Sequence, residues 1–244
     1  NLQIATINGG SLRNAIPRET FAVITLPAAN ADKFLAKIKE AEAIYKAELI
    51  EKDPDVKLSA EETEMPAHVM DADLQWRLTD AILGCPNGTV RMIDSMPDTV
   101  ETSNNLAIVQ TRDDKIVINT LMRSSVETAK DYLAECLQSV FELAKADNIQ
   151  FDGAYPGWKP NPQSAILKSM QDTYRKMFNK EARIMAVHAG LECGILGAKY
   201  PGWDMISFGP TICHPHSPDE KVNIPSVGKF WEFLKETLKE APKK

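Results

Sequence analysis

The sequence predicts two architectures in succession: an α+β domain from residue 1 to about 150, and an α/β portion over residues 151–244. In the first part, strand-like and helix-like runs follow the order ββα and then αβββα, which is typical of an antiparallel sheet with helices on one face, built from two related halves. At FDGAYPGWKPNPQS the composition changes to glycine, proline and aromatic residues, as in interdomain connections. Beyond it, helices and strands alternate, which predicts parallel strands.

The first half begins with two strands, LQIATI and TFAVITLPA, separated by the Gly-rich loop NGGSLRNAIPRE. From Asn30, the segment ADKFLAKIKEAEAIYKAELIEK repeats apolar residues at helical spacing, which predicts a long amphipathic helix. The polar stretch DPDVKLSAEETEMP ends that pattern and is predicted to be a connection.

The second half predicts a helix from about Asp71 to Leu83 and another from Val126 to about Ala146. Between them lie three predicted strands, GTVRMID, TSNNLAIVQT and KIVINTLMRS, the last two joined by a tight turn at residues 112–114. In the C-terminal part we expect helices at 164–178 and 226–239 and the strands RIMAVH and WDMISFG. Two strands are too few for an independent doubly wound sheet, so we expect this part to close a larger α/β domain.

Composition and net charge argue against several classes of binding partner. A formal charge of −6 and a pI of about 5.4 argue against nucleic acid, which binds basic surfaces. No apolar run approaches the roughly 18 residues of a membrane-spanning helix, so we expect no membrane association. Four cysteines scattered singly favour the reducing cytoplasm. The first residues, NLQIATING, lack a signal peptide's features and read as a strand entered partway, so we expect a piece of a longer protein.

The stretch ICHPHSPDE contains His214 and His216, a candidate half-site for a metal ion. Side chains two positions apart on an extended loop point in opposite directions, so the pair binds one metal only if the loop turns between them. The alternative is a pair of partly exposed histidines, one of them hydrogen-bonded to Asp219. The position after WDMISFG favours a ligand role, because ligands gather at the carboxyl ends of strands in α/β sheets.

Three further segments contain candidate binding residues. VHAGLECGI combines His188 and Glu192 with Gly190 and Gly194, which allow the backbone to approach a ligand, although a buried structural turn would look the same. In GGSLRNAIPRE, Arg13, Asn14 and Arg18 are either binding residues or merely solvated. Arg123 ends an apolar strand and suits either a carboxylate ligand or a structural ion pair.

Five segments of the chain, taken together and in order, resemble the bacterial aminoacyl-histidine (Xaa-His, carnosinase-like) dipeptidases. They are GGSLRNAIPRE, TLMRSS, GAYPGWKPNP, VHAGLECGIL, and SFGPTI followed by PHSPDEKV. These belong to the dinuclear zinc aminoacylase and carboxypeptidase family. The resemblance runs from Leu2 almost to the end of the chain. It implies that residues 1–150 are most of an α+β lid and dimerisation domain, and that residues 151–244 are the closing portion of a zinc-peptidase catalytic domain.

Residue by residue, the resemblance implies that His216 is the last zinc ligand, and that Asn14 and Arg123 contact the substrate's carboxylate and the transition state. Gly190 to Glu192 would line the pocket, whereas His214 has no counterpart. No stretch here resembles the family's HxD motif, its Glu-Glu pair with the general base, its other acidic ligands or its lid histidine. We therefore expect no catalytic residue in this chain, no activity from the chain alone, and weak, nonspecific zinc binding at most.

For the intact enzyme, the resemblance implies a cytoplasmic homodimer with two zinc ions that hydrolyses dipeptides ending in histidine, for example β-alanyl-histidine. Two alternatives stay open. One is a non-catalytic lid or dimerisation module, and the other is a different amidohydrolase or peptidase of the same family, such as a tripeptidase or deacylase.

Overall fold

The computed structural model describes residues 2–159, 161–186, 192–215 and 219–240. Its first part is the predicted antiparallel sheet with helices, built from five strands: β1 (Gln3–Gly9), β2 (Thr20–Thr25), β3 (Gly88–Ile93), β4 (Met96–Arg112) and β5 (Lys115–Ser124). Three helices accompany them: α1 (Ala31–Leu49), α2 (Ala72–Gly84) and α3 (Glu127–Leu143). The α+β class predicted for this part is confirmed.

Strand β4 is the centre of the sheet. Along one edge it pairs with β5 through its second half, from Thr102 to Arg112. Along the other edge it pairs first with β3 and then, at Gln110, with β1. The strand begins six residues earlier than the predicted TSNNLAIVQT, because a two-residue turn after Ile93 continues the β3–β4 pairing from Met96. The predicted tight turn before β5 is confirmed, with Asp113 at φ 54°.

The two faces of this sheet differ. On one face α2 and α3 pack against the strands, and the core contains Cys85, Leu133 and Leu137 with Leu106, Met122 and Phe141 around them. Residues directly opposite each other in an antiparallel pair project to the same face, so Asn104, opposite Met122, also faces the helices. Ser103 and Asn105 alternate with Asn104 and therefore lie on the other face, together with their partners Arg123 and Leu121.

Helix α1 forms where the sequence predicts it, yet none of its 19 residues is buried. Its apolar residues Leu35, Ile44, Tyr45 and Leu49 are 38–48% exposed. The amphipathic pattern therefore leaves an apolar surface in contact with solvent, and this surface lies next in sequence to the edge strand β2.

The C-terminal part contains the helices α4 (Ala165–Phe178), α5 (Glu192–Lys199) and α6 (Ile224–Glu240), and a two-stranded antiparallel hairpin of β6 (Ile212–Cys213) and β7 (Lys221–Val222). The predicted helices at 164–178 and 226–239 are confirmed, within one or two residues. Helices α4 and α6 pack through an aromatic cluster made of Tyr174, Phe178, Phe208, Phe230 and Phe233.

The two strands predicted for this part are wrong wherever the structure describes them. Residues 183–186 of RIMAVH and residues 203–209 of WDMISFG are irregular. A strand persists only with a hydrogen-bonded neighbour, and neither segment has one among the described residues. GLECGIL contributes instead to helix α5.

The predicted boundary near residue 150 stays a prediction. It falls within the connection from α3, which ends at Leu143, to α4, which begins at Ala165. In the described part of the chain, no helix is long and apolar enough to cross a membrane.

Candidate functional site

Asn14 lies at the tip of a β-turn in the loop between β1 and β2. The turn is closed by the Ala15 amide, which donates to the Leu12 carbonyl oxygen at 3.2 Å. Its entry depends on Gly10, which has φ +71° and passes so close to the Ala107 carbonyl that a Cβ would clash. The Asn14 side chain is exposed and makes no hydrogen bond with other described residues.

The side chain of Asn105 holds this turn from both sides. Its Nδ2 donates to the carbonyl oxygens of Arg13, at 3.3 Å, and Ala15, at 2.8 Å. Since Asn105 is on the sheet face away from α2 and α3, the turn bearing Asn14 is tied to that same face.

Arg123 is on that face too, one residue before the end of β5. It lies opposite Ser103, and the pair formed by Asn105 and Leu121 is the next one on the same face. The side chain of Arg123 is half-buried and forms no hydrogen bond or ion pair with any described residue. Its guanidinium donors are therefore available to an anion, and their planar fork matches a carboxylate.

Hydrogen bonds hold the connecting segment 152–157 against the start of α3, beside the end of β5. The Gly157 amide donates to Glu127 Oε1 at 2.6 Å, and Lys130 Nζ donates to the Tyr155 carbonyl at 3.2 Å. Hydrogen bonds to the Glu127 carboxylate lower its pKa: the bond from the Gly157 amide has the larger effect, and the bond from Lys130 comes second. A Cβ on Gly157 would lie 2.8 Å from the Ser124 carbonyl oxygen, so the segment passes directly over the residue after Arg123.

Helix α5 packs against the same connecting segment. Gly194 approaches the Pro156 carbonyl so closely that a Cβ would clash. Glu192, the first residue of α5, is exposed and lies two positions before this contact. The contacts thus bring the start of α5 towards the end of β5, where Arg123 is. Gly190 and His188 lie outside the described residues.

The stretch ICHPHSPDE begins in β6 and ends directly before β7, and the structure describes it except for residues 216–218. The hairpin is anchored to α6, because the Thr211 amide donates to Ser226 Oγ at 2.9 Å. His214 is exposed and has φ 53°, so the loop turns at this residue. His216 lies outside the described residues. Within the described ranges no three His, Cys, Asp or Glu side chains come together as a metal site would require, so these residues do not form a metal centre.

Sequence reasoning missed Asn105, Glu127 and the close packing of Gly157. The local signal for Asn105 was two adjacent asparagines inside an otherwise apolar strand, SNNLAIV. From composition GAYPGWKP predicts a connection, and two glycines around an aromatic residue and a proline also permit a close backbone approach.

Comparison with known proteins first defines the class. Residues 1–53, which contain β1, β2 and α1, match the family described as the peptidase dimerisation domain, M20_dimer. The first part of the chain is thus similar to the domain through which peptidases of this class dimerise.

The individual relatives are dipeptidases. Over 244 residues the chain is 40% identical to the cytosol non-specific dipeptidase of Escherichia coli, covering 100% of this chain and 50% of that protein. A crystal structure of aminoacylhistidine dipeptidase from Vibrio alginolyticus matches with 42% identity and a TM-score of 0.85, over 100% of this chain and 49% of that one. The predicted resemblance to these hydrolases is confirmed, and the chain spans about half their length.

A crystal structure of aminopeptidase PepT from Bacillus cereus is similar in fold. It matches with a TM-score of 0.52 and 15% identity, over 69% of this chain and 45% of that one.

Proposed function

We propose that this chain forms the substrate-holding lid and the closing portion of a zinc-dependent dipeptidase that hydrolyses dipeptides ending in histidine, such as β-alanyl-histidine. One observation carries the proposal: the guanidinium of Arg123, which has no partner among the described residues, lies on the sheet face to which Asn105 ties the turn of Asn14. The dipeptidase relatives support the reaction class, and the name of the Vibrio relative supports the preference for histidine.

The proposed roles follow from the chemistry of the two side chains. Arg123 donates two parallel hydrogen bonds to the substrate's terminal carboxylate and so fixes the peptide's orientation. Asn14, exposed at the tip of its turn, donates its amide to the oxygen that gains negative charge in the transition state. Glu192, the first residue of α5, lines the pocket, and the resemblance implies the same role for Gly190.

The first test replaces Arg123 in the longer enzyme that contains this chain. Arg123→Ala removes a charge-assisted interaction of about 1.5–3 kcal/mol, so the KM for dipeptides should rise by about ten- to a hundredfold. Arg123→Lys should recover only part of the loss, because an ammonium lacks the fork. Arg112→Ala, at the far end of the β4–β5 hairpin, is the control. A KM that Arg123→Ala does not change would remove Arg123 from this role.

The metal proposal concerns His216. When bound, zinc would supply Lewis-acid chemistry for the scissile carbonyl and the attacking water, and the resemblance implies that this chain contributes one residue, His216, to hold it. His216→Ala in the longer enzyme should lower bound zinc from two ions to about one, measured by elemental analysis. His68→Ala is the matched control. Unchanged zinc content in His216→Ala would contradict the assignment.

The purified chain of 244 residues should show no zinc-dependent hydrolysis of β-alanyl-histidine, because one histidine does not hold a dinuclear centre. Measurable zinc-dependent turnover by this chain would overturn that expectation.

We also propose that the protein is a cytoplasmic homodimer. The edge strand β2 and the exposed apolar residues of α1 both belong to the stretch that matches a dimerisation domain. The four cysteines are free thiols, as expected in a reducing compartment.

The match to a dimerisation domain also favours the alternative of a non-catalytic dimerisation module. In that case the longer protein would dimerise without hydrolysing any dipeptide. Hydrolysis rates measured for dipeptides, tripeptides and N-acyl amino acids distinguish a dipeptidase from the other amidohydrolases.

A further inference from the structure

We propose that Asn105 is a positioning residue that fixes the distance between the Asn14 donor and the Arg123 donor. The inference rests on the proposed function, because it assigns a purpose to the spacing of two groups that would touch one substrate. Asn105 itself touches the turn and not the ligand.

The geometry consists of two links. Across the β4–β5 ladder, Asn105 is opposite Leu121, and Arg123 is two residues further along β5 on the same face. Diagonal neighbours of this kind are separated by about 7–8 Å. From Asn105 to the turn, the Nδ2 group uses one hydrogen for the carbonyl before Asn14, at 3.3 Å, and the other for the carbonyl after it, at 2.8 Å. A single side chain therefore relates the turn to the strand.

The chemistry of an asparagine suits this task. Its Nδ2 is a double donor on a short, stiff side chain, and the two turn carbonyls need donors. An aspartate of the same shape has only acceptors and would repel both carbonyls. The entry to the loop is anchored separately, by Gln110 Nε2 donating to the Gly10 carbonyl at 3.2 Å. The tip has one further link, the exposed ion pair of Arg13 with Asp152 at 2.6 Å. Loss of Asn105 should thus detach the turn from β4 and misalign it, while the base of the loop stays attached to β4.

Release of the tip should affect catalysis selectively. Arg123 is held by the β4–β5 ladder and keeps its place, so the KM for a dipeptide should stay within about twofold in Asn105→Ala. Asn14 loses its alignment with the developing oxyanion, so kcat should fall by about ten- to a hundredfold. A merely structural defect that lowers the active fraction would also lower the apparent kcat at unchanged KM, so kcat is expressed per folded enzyme, and hydrogen exchange of the turn and the double variant distinguish the two causes.

The experiment uses the longer enzyme with Asn105→Ala, Asn105→Asp, Asn14→Ala and the double variant Asn105→Ala/Asn14→Ala. Hydrogen exchange of the peptide covering residues 10–19 reports directly on the turn and should be faster in both Asn105 variants. The control is Asn119→Ala, an asparagine on the neighbouring strand β5, half-buried, whose side chain makes no hydrogen bond with the described residues. It should leave both exchange and kcat unchanged.

The double variant distinguishes a failure of the positioning role of Asn105 from a failure of the proposed role of Asn14. If Asn105 acts through Asn14, adding Asn105→Ala to Asn14→Ala should lower kcat by less than about twofold more. If Asn14→Ala by itself leaves kcat unchanged, the proposed role of Asn14 fails. If Asn14→Ala lowers kcat but Asn105→Ala does not, or if the two losses multiply, the positioning role of Asn105 is wrong while the proposed function stands.

Discussion

The ionisation of Glu127 depends on its two hydrogen-bond donors, a backbone amide and a lysine. The Gly157 amide and Lys130 favour the carboxylate form and so lower the pKa of Glu127. A carboxyl whose pKa is lower in the folded than in the unfolded protein contributes stability above its unfolded pKa, and this contribution disappears as the pH falls through the folded pKa. The attachment of the connecting segment should therefore weaken under acid conditions.

This argument predicts a pH-dependent effect of Glu127→Gln. At neutral pH the variant should unfold at a lower urea concentration than the parent, because the charge-assisted hydrogen bond to Gly157 is lost. Below the folded pKa of Glu127 the two midpoints should converge. Glu135→Gln, an exposed glutamate on the same helix, serves as the control. A difference that is equal at neutral and acid pH would show that the charge of Glu127 does not stabilise the segment.

At the level of residues, the sequence identified Asn14 and Arg123 as candidates but not the residues that support them. Arg123 was a candidate because it ends an apolar strand, whereas the loop offered Arg13, Asn14 and Arg18 alike and the resemblance selected Asn14. The hydrogen bonds of Asn105 join residues 90 and 92 positions apart, and no local periodicity encodes such a pairing.

At the level of elements, the connecting segment and the end of β5 fit together through glycine. A Cβ on Gly157 would meet the Ser124 carbonyl oxygen at 2.8 Å and the Ser125 carbonyl carbon at 2.9 Å, and both are backbone atoms. Backbone yields less readily than a side chain, so the segment would have to move away from β5.

Gly157→Ala should accordingly destabilise the protein by about 1–3 kcal/mol, the usual cost of overpacking. Thermal unfolding followed by circular dichroism measures the change. Gly202→Ala is the matched control, since nothing lies within 4 Å of the added carbon there. No loss of stability in Gly157→Ala, or an equal loss in both variants, would contradict the close packing.

The start of α4 explains one wrong strand prediction. Ser164 Oγ accepts from the Leu167 amide at 3.0 Å, and Asp204 Oδ2 accepts from the Ile166 amide at 3.0 Å. Asp204 belongs to WDMISFG, so this segment caps a helix rather than pairing in a sheet. Local alternation of apolar residues does not reveal such a partner, whereas the helices and the β3–β5 strands, with strong periodicity and turn signals, were predicted well.

Capping predicts that Ser164→Ala destabilises the protein by about 1 kcal/mol. Ser169→Ala, within the same helix, should have a much smaller effect. Urea unfolding measures the stability of the two variants, and equal unfolding midpoints would contradict the capping role of Ser164.

For the whole molecule, the question is how the exposed surface of residues 1–53 is used. Phe21 on the edge strand β2 is 70% exposed, and α1 buries none of its residues. An unpaired edge with apolar side chains is a template for a second chain.

Phe21→Asp should therefore weaken self-association, seen as a shift from dimer to monomer in sedimentation velocity. Phe151→Asp is the control for the added charge. Phe151 is 50% exposed and lies in the connection between α3 and α4. If Phe21→Asp and the parent sediment alike as dimers, the dimer interface lies elsewhere.

The attachment of the β1–β2 hairpin to the rest of the sheet also has a consequence for the order of folding. Its ladder with β4 contains two residue pairs, Asn8 with Gln110 and Gly9 with Val109, which are about a hundred positions apart in sequence. Closing so long a loop is slow, whereas the β3–β4–β5 meander forms from neighbouring segments. The hairpin should dock last and open first. A partner chain bound to β2 and α1 would hold it in place, so assembly would complete the folding of the subunit.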